Sequence, residues 1–277
     1  ECSERMISVA DIKGVLVDIT RCVNCESCVV ACRLYNGLEE GKNGAKETQA
    51  EKDKLVSNRW TVVQKVKVEK NGNAVRRYVK QQCLHCLEPA CASACFSKAL
   101  QKTPEGPVVY NEKLCVGCRY CFIACPFEIP TYEWDKSFPR VQKCQMCLAR
   151  VADNQMPACA SVCPTSAITF GKREDLLKEA KSRIAANPAL YVDHIYGEKE
   201  AGGTSWLYLS DVPFEQLGFN TKVTHRPIPD YTWQVLKWTP YIFVGWGALL
   251  TGMYMYTKRR AEVHAEEEMY APVDKEE

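Results

Sequence analysis

The sequence predicts an α+β chain, with two lobes built from short strands and short helices and one long helix near the C-terminus. Three observations predict it. Sixteen of the seventeen cysteines fall into four tight groups, short apolar runs flank those groups, and twenty residues towards the C-terminus carry no charge. A chain of 277 residues buries enough apolar surface to stand without disulfide staples. Its cysteines are clustered, whereas those of secreted scaffolds are spread out to close loops. Basic and acidic residues nearly balance, 36 against 34, and no basic stripe with interleaved aromatics occurs. Nucleic acid is therefore excluded as a partner.

The first cysteine group is Cys22, Cys25, Cys28 and Cys32, spaced C-x2-C-x2-C-x3-C. The third, Cys115, Cys118, Cys121 and Cys125, repeats that spacing and ends in Pro126. This is the bacterial ferredoxin run, in which three closely spaced thiolates clasp one cubane and the fourth ligates a second cluster. The second group, Cys83, Cys86, Cys91 and Cys95, opens the middle gap to four residues. The fourth, Cys144, Cys147, Cys159 and Cys163, opens it further and ends in Pro164. Both keep the C-x2-C start and the C-x3-C finish, so both read as the same motif with an inserted loop. Structural zinc sites use separated C-x2-C pairs or Cys with His, and triplets followed by a fourth cysteine suit them poorly. Four [4Fe–4S] clusters are therefore expected. Cys2 has no partner group and reads as a free thiol.

Position suggests how the groups pair. Groups two and three adjoin, from Cys83 to Cys125, like one complete two-cluster ferredoxin, which leaves groups one and four to pair with each other. The fourth-cysteine crossover then yields four expected ligand sets. They are Cys22, Cys25, Cys28 with Cys163; Cys144, Cys147, Cys159 with Cys32; Cys83, Cys86, Cys91 with Cys125; and Cys115, Cys118, Cys121 with Cys95. All sixteen are expected iron ligands, in two ferredoxin-like lobes. Lobe A combines 22–32 with 144–163, and lobe B covers 83–125, together forming a double domain over 1–190.

Along the chain, Gly14 to Thr20 reads as a strand feeding group one. Glu39 to Lys54 is polar and reads as a surface loop. Trp60 to Val68 and Ala74 to Val79 flank Asn71-Gly72 as a hairpin. Pro107 to Tyr110 and Ala167 to Phe170 read as strands beside groups three and four. Arg173 to Ala186 places Leu176, Leu177, Ala180 and Ile184 on one face, an amphipathic helix ending before Pro188. Residues 191–231 mix Gly, Pro and aromatics and read as an extended arm with a strand at Ser205 to Leu209.

Trp238 to Thr257 spans about 30 Å as a helix, the thickness of a bilayer's hydrocarbon core. Aromatics stand near both ends, and Lys258, Arg259 and Arg260 follow at once. A transmembrane helix over 232–258 is expected, with a cytoplasmic tail over 259–277 and the cluster domain on the outer, periplasmic face. Ala248 and Gly252 form a small pair suited to packing on another membrane helix.

The four groups in order, the CLHCLEPAC form from Cys83 to Cys91, CRYCFIACPFEIP from Cys118, TSAITFGKREDLLKEAKSR after group four, and YGEKEAGGT from Tyr196 carry a close resemblance. The chain resembles the four-cluster beta subunits of membrane-bound periplasmic oxidoreductases, above all hydrogenase-2-type uptake hydrogenases and respiratory formate dehydrogenases. The resemblance implies a non-catalytic relay between a catalytic subunit, of NiFe hydrogenase or molybdopterin type, and a multi-helix quinone-reactive membrane subunit. It also implies that lobe A faces the former and lobe B the latter. YGEKEAGGT and the following LYLSDVPFEQLGF look closest to the hydrogenase type. Two departures stand out: Arg33 follows Cys32, and Phe96 follows Cys95 where the pattern has proline. The competing readings are a stand-alone polyferredoxin and a zinc-bound scaffold. No nucleophile–base arrangement, phosphate loop or open metal site speaks for catalysis by this chain.

Overall fold

In the computed structural model, which describes residues 12–38, 54–70, 72–134 and 136–270, the apolar run feeding group one becomes the middle strand of a three-stranded sheet. This strand, β1 (Lys13–Asp18), pairs antiparallel with β8 (Ile168–Lys172) and parallel with β9 (Trp206–Leu209). Because side chains alternate across a strand, the sheet has two different faces. Leu16, Leu207 and Leu209 pack on one side against Leu176 and Ala180, with Tyr191 and Ile195. Val15, Val17, Trp206 and Tyr208 face the other way, into a core that also holds Cys28, Met146 and Cys159. The segment expected as an arm thus supplies a wholly buried strand to the central sheet.

Leu176 and Ala180 belong to helix α6 (Arg173–Ala186), whose bounds coincide with those expected from its apolar spacing. Glu174 and Asp175 in its first turn and Arg183 in its last complement the helix dipole. The helix stops at Asn187, because the residue before Pro188 is pushed out of helical geometry.

The expected hairpin is β2 (Val62–Lys70) with β3 (Asn73–Gln81), in register from Val62↔Gln81 to Lys70↔Asn73. Its tip is tied to the loop after β9. Lys70 Nζ donates to Asp211 at 2.6 Å, and Arg77 Nε donates to the same carboxylate at 2.8 Å. Two small ladders complete the sheets, β4 (Leu100–Lys102) with β5 (Val108–Tyr110), and β6 (Thr131–Tyr132) with β7 (Val141–Gln142). Cys2, Asn71 and all but Lys54 of the expected loop over 39–54 lie outside the described residues.

Five short helices carry cysteines or adjoin them: α1 (Ser27–Asn36), α2 (Ala90–Ser93), α3 (Tyr120–Ala124), α4 (Leu148–Ala152) and α5 (Ala158–Ser161). All of these elements belong to one compact unit, residues 1–229.

The second unit, residues 230–277, corrects two expectations. After α7 (Ile228–Leu236), helix α8 runs from Thr239 to Tyr270 without a break at the basic cluster. No helix among the described residues is long and apolar enough to cross a membrane. The expected span over 232–258 is therefore not supported, and neither is a single-pass membrane location with a periplasmic cluster domain. The physical reason is that an uncharged stretch need not be an apolar one. Trp238 to Thr257 contains three glycines, three threonines, a proline and five Trp or Tyr residues, all weakly hydropathic, among few aliphatic side chains.

Candidate iron–sulfur cluster sites

The cysteine loops share a backbone device that residue types conceal. In every group the residue before the second cysteine is left-handed: Asn24 (φ 58°), His85 (φ 49°), Gly117 (φ 72°) and Met146 (φ 54°). The bend brings that residue's amide onto the first cysteine's sulfur, so Gly117 N lies 3.4 Å from Cys115 Sγ and Met146 N lies 3.3 Å from Cys144 Sγ. Left-handed geometry costs a residue with a Cβ roughly 1–2 kcal/mol, and it persists where the surroundings over-determine it. Glu26 and Arg119, also left-handed, then start α1 and α3 inside groups one and three.

In groups one, three and four the residue after the fourth cysteine matches the helix length, whereas α2 stops at Ser93 with Phe96 in that place. Pro126 and Pro164 cannot continue a helix, and α3 and α5 end just before them. Lys98, Glu128 and Ser166, each three residues after a fourth cysteine, turn the chain through left-handed φ values. Arg33 imposes no such stop, so α1 runs on to Asn36, whose Nδ2 reaches Cys32 Sγ at 3.5 Å. Ser97 stands similarly by Cys95 (3.5 Å) and Thr165 by Cys163 (3.8 Å).

None of the sixteen grouped cysteines is in a disulfide. Helix α1 packs against α5 and α2 packs against α3, so group one meets group four and group two meets group three. One core gathers Cys22, Cys28, Cys159 and Cys163, and another gathers Cys91, Cys95, Cys115 and Cys121. A third brings Cys32 and Cys144 together with Cys83 and Cys125, across the two halves. Only Cys25 and Cys118, the second cysteines of groups one and three, are exposed, whereas Cys86 is half-buried and Cys147 is buried. Among the described residues no three His, Cys, Asp or Glu side chains converge as they would on a single ion. A cubane is gripped at its corners, one thiolate to each iron, so its donors stand further apart than those of a mononuclear site.

Charge gives an independent test of fit. Lys80 and Lys143 are buried and Lys102 is half-buried, yet none of them meets a carboxylate among the described residues. Lys80 Nζ contacts Thr61 Oγ1 and donates to Gln82 Oε1 at 3.0 Å. Lys143 donates to the Val108 and Cys144 carbonyls, and Lys102 to those of His85 and Cys86. A buried ammonium needs a counter-charge. Burial opposes the charge of Lys80, whereas Cys159, Cys28, Cys144 and Cys32, when ionised, raise its pKa. Burial holds Lys102 down at about 8, although Cys86 and Cys83 pull upwards. Burial also pushes the thiols of Cys28 to about 11 and of Cys32 and Cys91 to about 12, so without iron they are neutral. Thiols are deprotonated outright on binding a metal. A net-negative cluster thus supplies the charge that these lysines lack, and the donor set fits [4Fe–4S] groups.

Lys143, His85 and Arg119 adjoin ligands in the chain, and Lys80 stands three residues before Cys83. Arg119 lies over the rings of Tyr132 (4.9 Å) and Trp134 (4.7 Å). Lys102, Thr61 and Trp206 escape sequence reading, since each reaches the sites through pairing between distant segments.

The chain matches two models of the 4Fe-4S dicluster domain, over residues 21–99 and 74–173. Two such domains give four [4Fe–4S] clusters. It is 46% identical to a protein of Nitratidesulfovibrio vulgaris (strain Hildenborough), over 94% of this chain and 71% of that one. It is 37% identical to the hydrogenase-2 operon protein HybA of Escherichia coli O157:H7, over 74% of this chain and 71% of the relative. It is 34% identical to the iron-sulfur subunit of the nitrate-inducible formate dehydrogenase of Escherichia coli K12, over 70% of this chain and 66% of the relative.

Proposed function

The chain belongs to the four-cluster iron–sulfur electron-transfer subunits of the hydrogenase-2 and formate dehydrogenase type, and from that premise we propose that it serves as a non-catalytic relay with two ends. Its ligand sets are the four of the fourth-cysteine crossover, in lobes formed by groups one and four and by groups two and three. The packing of Cys163 with Cys22 and Cys28, of Cys32 with Cys144, of Cys125 with Cys83, and of Cys95 with Cys115 and Cys121 supports them.

The observation that carries the relay is the graded exposure of the sites. The sets built on Cys25 and Cys118 reach the surface, and the sets built on Cys86 and Cys147 lie inside and adjoin through Cys83 and Cys144. The order is group one, group four, group two, group three, with surface contacts at the two ends. The bound clusters supply one-electron carriage, and the protein's part is to space them, exclude water and tune their potentials. Val23, Val30 and Leu34 stand exposed in the group one segment, and Val116, Tyr120 and Ile123 in the group three segment. Apolar surface of this kind marks protein contacts.

One end serves a catalytic subunit, a NiFe hydrogenase on this reading, and the other serves a quinone-reactive membrane subunit. The higher identity and longer coverage with HybA favour hydrogenase over formate dehydrogenase. Metal analysis of the purified complex tests this. Nickel with abundant iron supports the hydrogenase partner, molybdenum or tungsten replaces it with the formate dehydrogenase type, and iron alone in an intact complex removes both.

A further inference from the structure

His85 sits in the turn between Cys83 and Cys86 and is wholly buried. One hydrogen bond holds its ring, donated by the Val108 amide to Nδ1 at 2.8 Å. A ring nitrogen that accepts carries no proton, so the proton of this imidazole is on Nε2. That N–H has no acceptor among the described residues. A buried donor left unpaired costs about 1–3 kcal/mol, and native interiors seldom tolerate one.

The ring is also held in place from behind. Its backbone is left-handed, and its carbonyl accepts from the Ser205 amide at 3.2 Å and from Lys102 Nζ at 3.1 Å. The ring therefore cannot swing away to satisfy Nε2 elsewhere without breaking the Val108 bond. The ring thus lacks an acceptor among the described residues, and His85 stands two residues after Cys83 and directly before Cys86, where the ligand assignment above puts sulfur.

We propose that His85 Nε2–H donates a hydrogen bond to a sulfur of the cluster held by Cys83, Cys86, Cys91 and Cys125, making His85 a positioning residue that raises that cluster's potential. The proposal rests on that ligand set. A hydrogen bond to sulfur favours the reduced, more negative state, which is why hydrogen bonding is among the factors that set cluster potentials. Because the Val108 amide donates to Nδ1, that nitrogen carries no proton and the imidazole is neutral. The effect therefore comes from the hydrogen bond and not from a charge on the ring.

Two substitutions separate the ring's two roles. His85→Asn retains an acceptor for Val108 N–H but is too short to replace Nε2, whereas His85→Gln extends an amide N–H to the Nε2 position. In redox-titrated EPR of the purified complex, His85→Asn is expected to lower the potential of one cluster alone. The expected shift is about tenfold in the reduction equilibrium, ~59 mV for one electron. His85→Gln is expected to restore most of it. In the unmodified protein with 15N-histidine, pulsed EPR is expected to show nitrogen coupling to that same cluster, and this readout decides the matter if the Asn variant fails to assemble. Four intact cluster signals with unmoved potentials and no nitrogen coupling would overturn the proposal, leaving a buried water as the acceptor. Cys83→Ala, expected to abolish the signal concerned, tells this failure from that of the ligand set. Retention of all four signals in that variant would remove the ligand set itself.

Discussion

The ammonium of Lys80 lies 5.0 Å from the centre of the Trp206 ring, and both side chains are buried. Trp206 comes from β9 and Lys80 from the end of β3, so the contact joins the hairpin to the central sheet. The Tyr208 hydroxyl donates to the Lys80 carbonyl at 3.0 Å and accepts from Gln82 at 2.6 Å, which fixes the end of the hairpin strand. The cysteines that act on this ammonium come from both group one and group four. Lys80→Met is therefore expected to lower the potentials of the two lobe A clusters and leave the two lobe B clusters unmoved. One charge at about 8 Å with an effective dielectric constant of about 20 is worth about 2 kcal/mol per electron. Redox-titrated EPR reads the result, and equal shifts in all four clusters would show a structural effect instead of a local charge.

Cys118 is the exposed second cysteine of group three. Cys118→Ala is expected to cost about a quarter of the bound iron, one cluster of the four, and to stop electron transfer through the complex. The thermal stability of the rest should change little, because Cys118 is exposed and contributes no core packing. Iron content and single-turnover kinetics measure the two parts. Full iron and full activity would refute the assignment of Cys118 as a ligand.

Asp211 pins the hairpin through Lys70 and Arg77. Burial works against its charge, but the hydrogen bonds from Arg77 and Lys70 outweigh it and hold the carboxyl at about 2, below the ordinary 3.8. A depressed carboxylate contributes stability that is fully present above the unfolded value and lost as pH falls towards the folded one. The contribution is about 2 kcal/mol at neutral pH. Asp211→Asn is expected to be less stable by at least that amount at pH 7, with the gap closing between pH 4 and 2. Paired denaturant titrations over that range measure it. A gap independent of pH would mean that the carboxylate's charge contributes nothing.

Of the fold, the local parts were legible. Alternation and composition mark β1, β8 and the β2–β3 hairpin to within one or two residues at each end, and the apolar spacing of α6 gives both its ends. The cubane motifs were legible for the same reason, since three thiolates clasping one cluster must come from one short loop. The expected anchor fails because absence of charge is not hydrophobicity. Trp238 to Thr257 has the length of a span but not its aliphatic content, and α8 continues through Lys258 and beyond without registering a boundary.

The number and kind of the clusters, and the family, are written in the cysteine runs, because ligand spacing is a property of a few consecutive residues. Their surroundings come from the packing of the whole chain. That packing sets β9 parallel to β1 and leaves Cys25 and Cys118 alone exposed among the grouped cysteines; among the described residues it buries Lys80 and Lys143 without carboxylates and leaves the His85 Nε2–H without an acceptor. Each of these depends on segments far apart in the chain meeting in one core, and no local pattern of residue types records such a meeting.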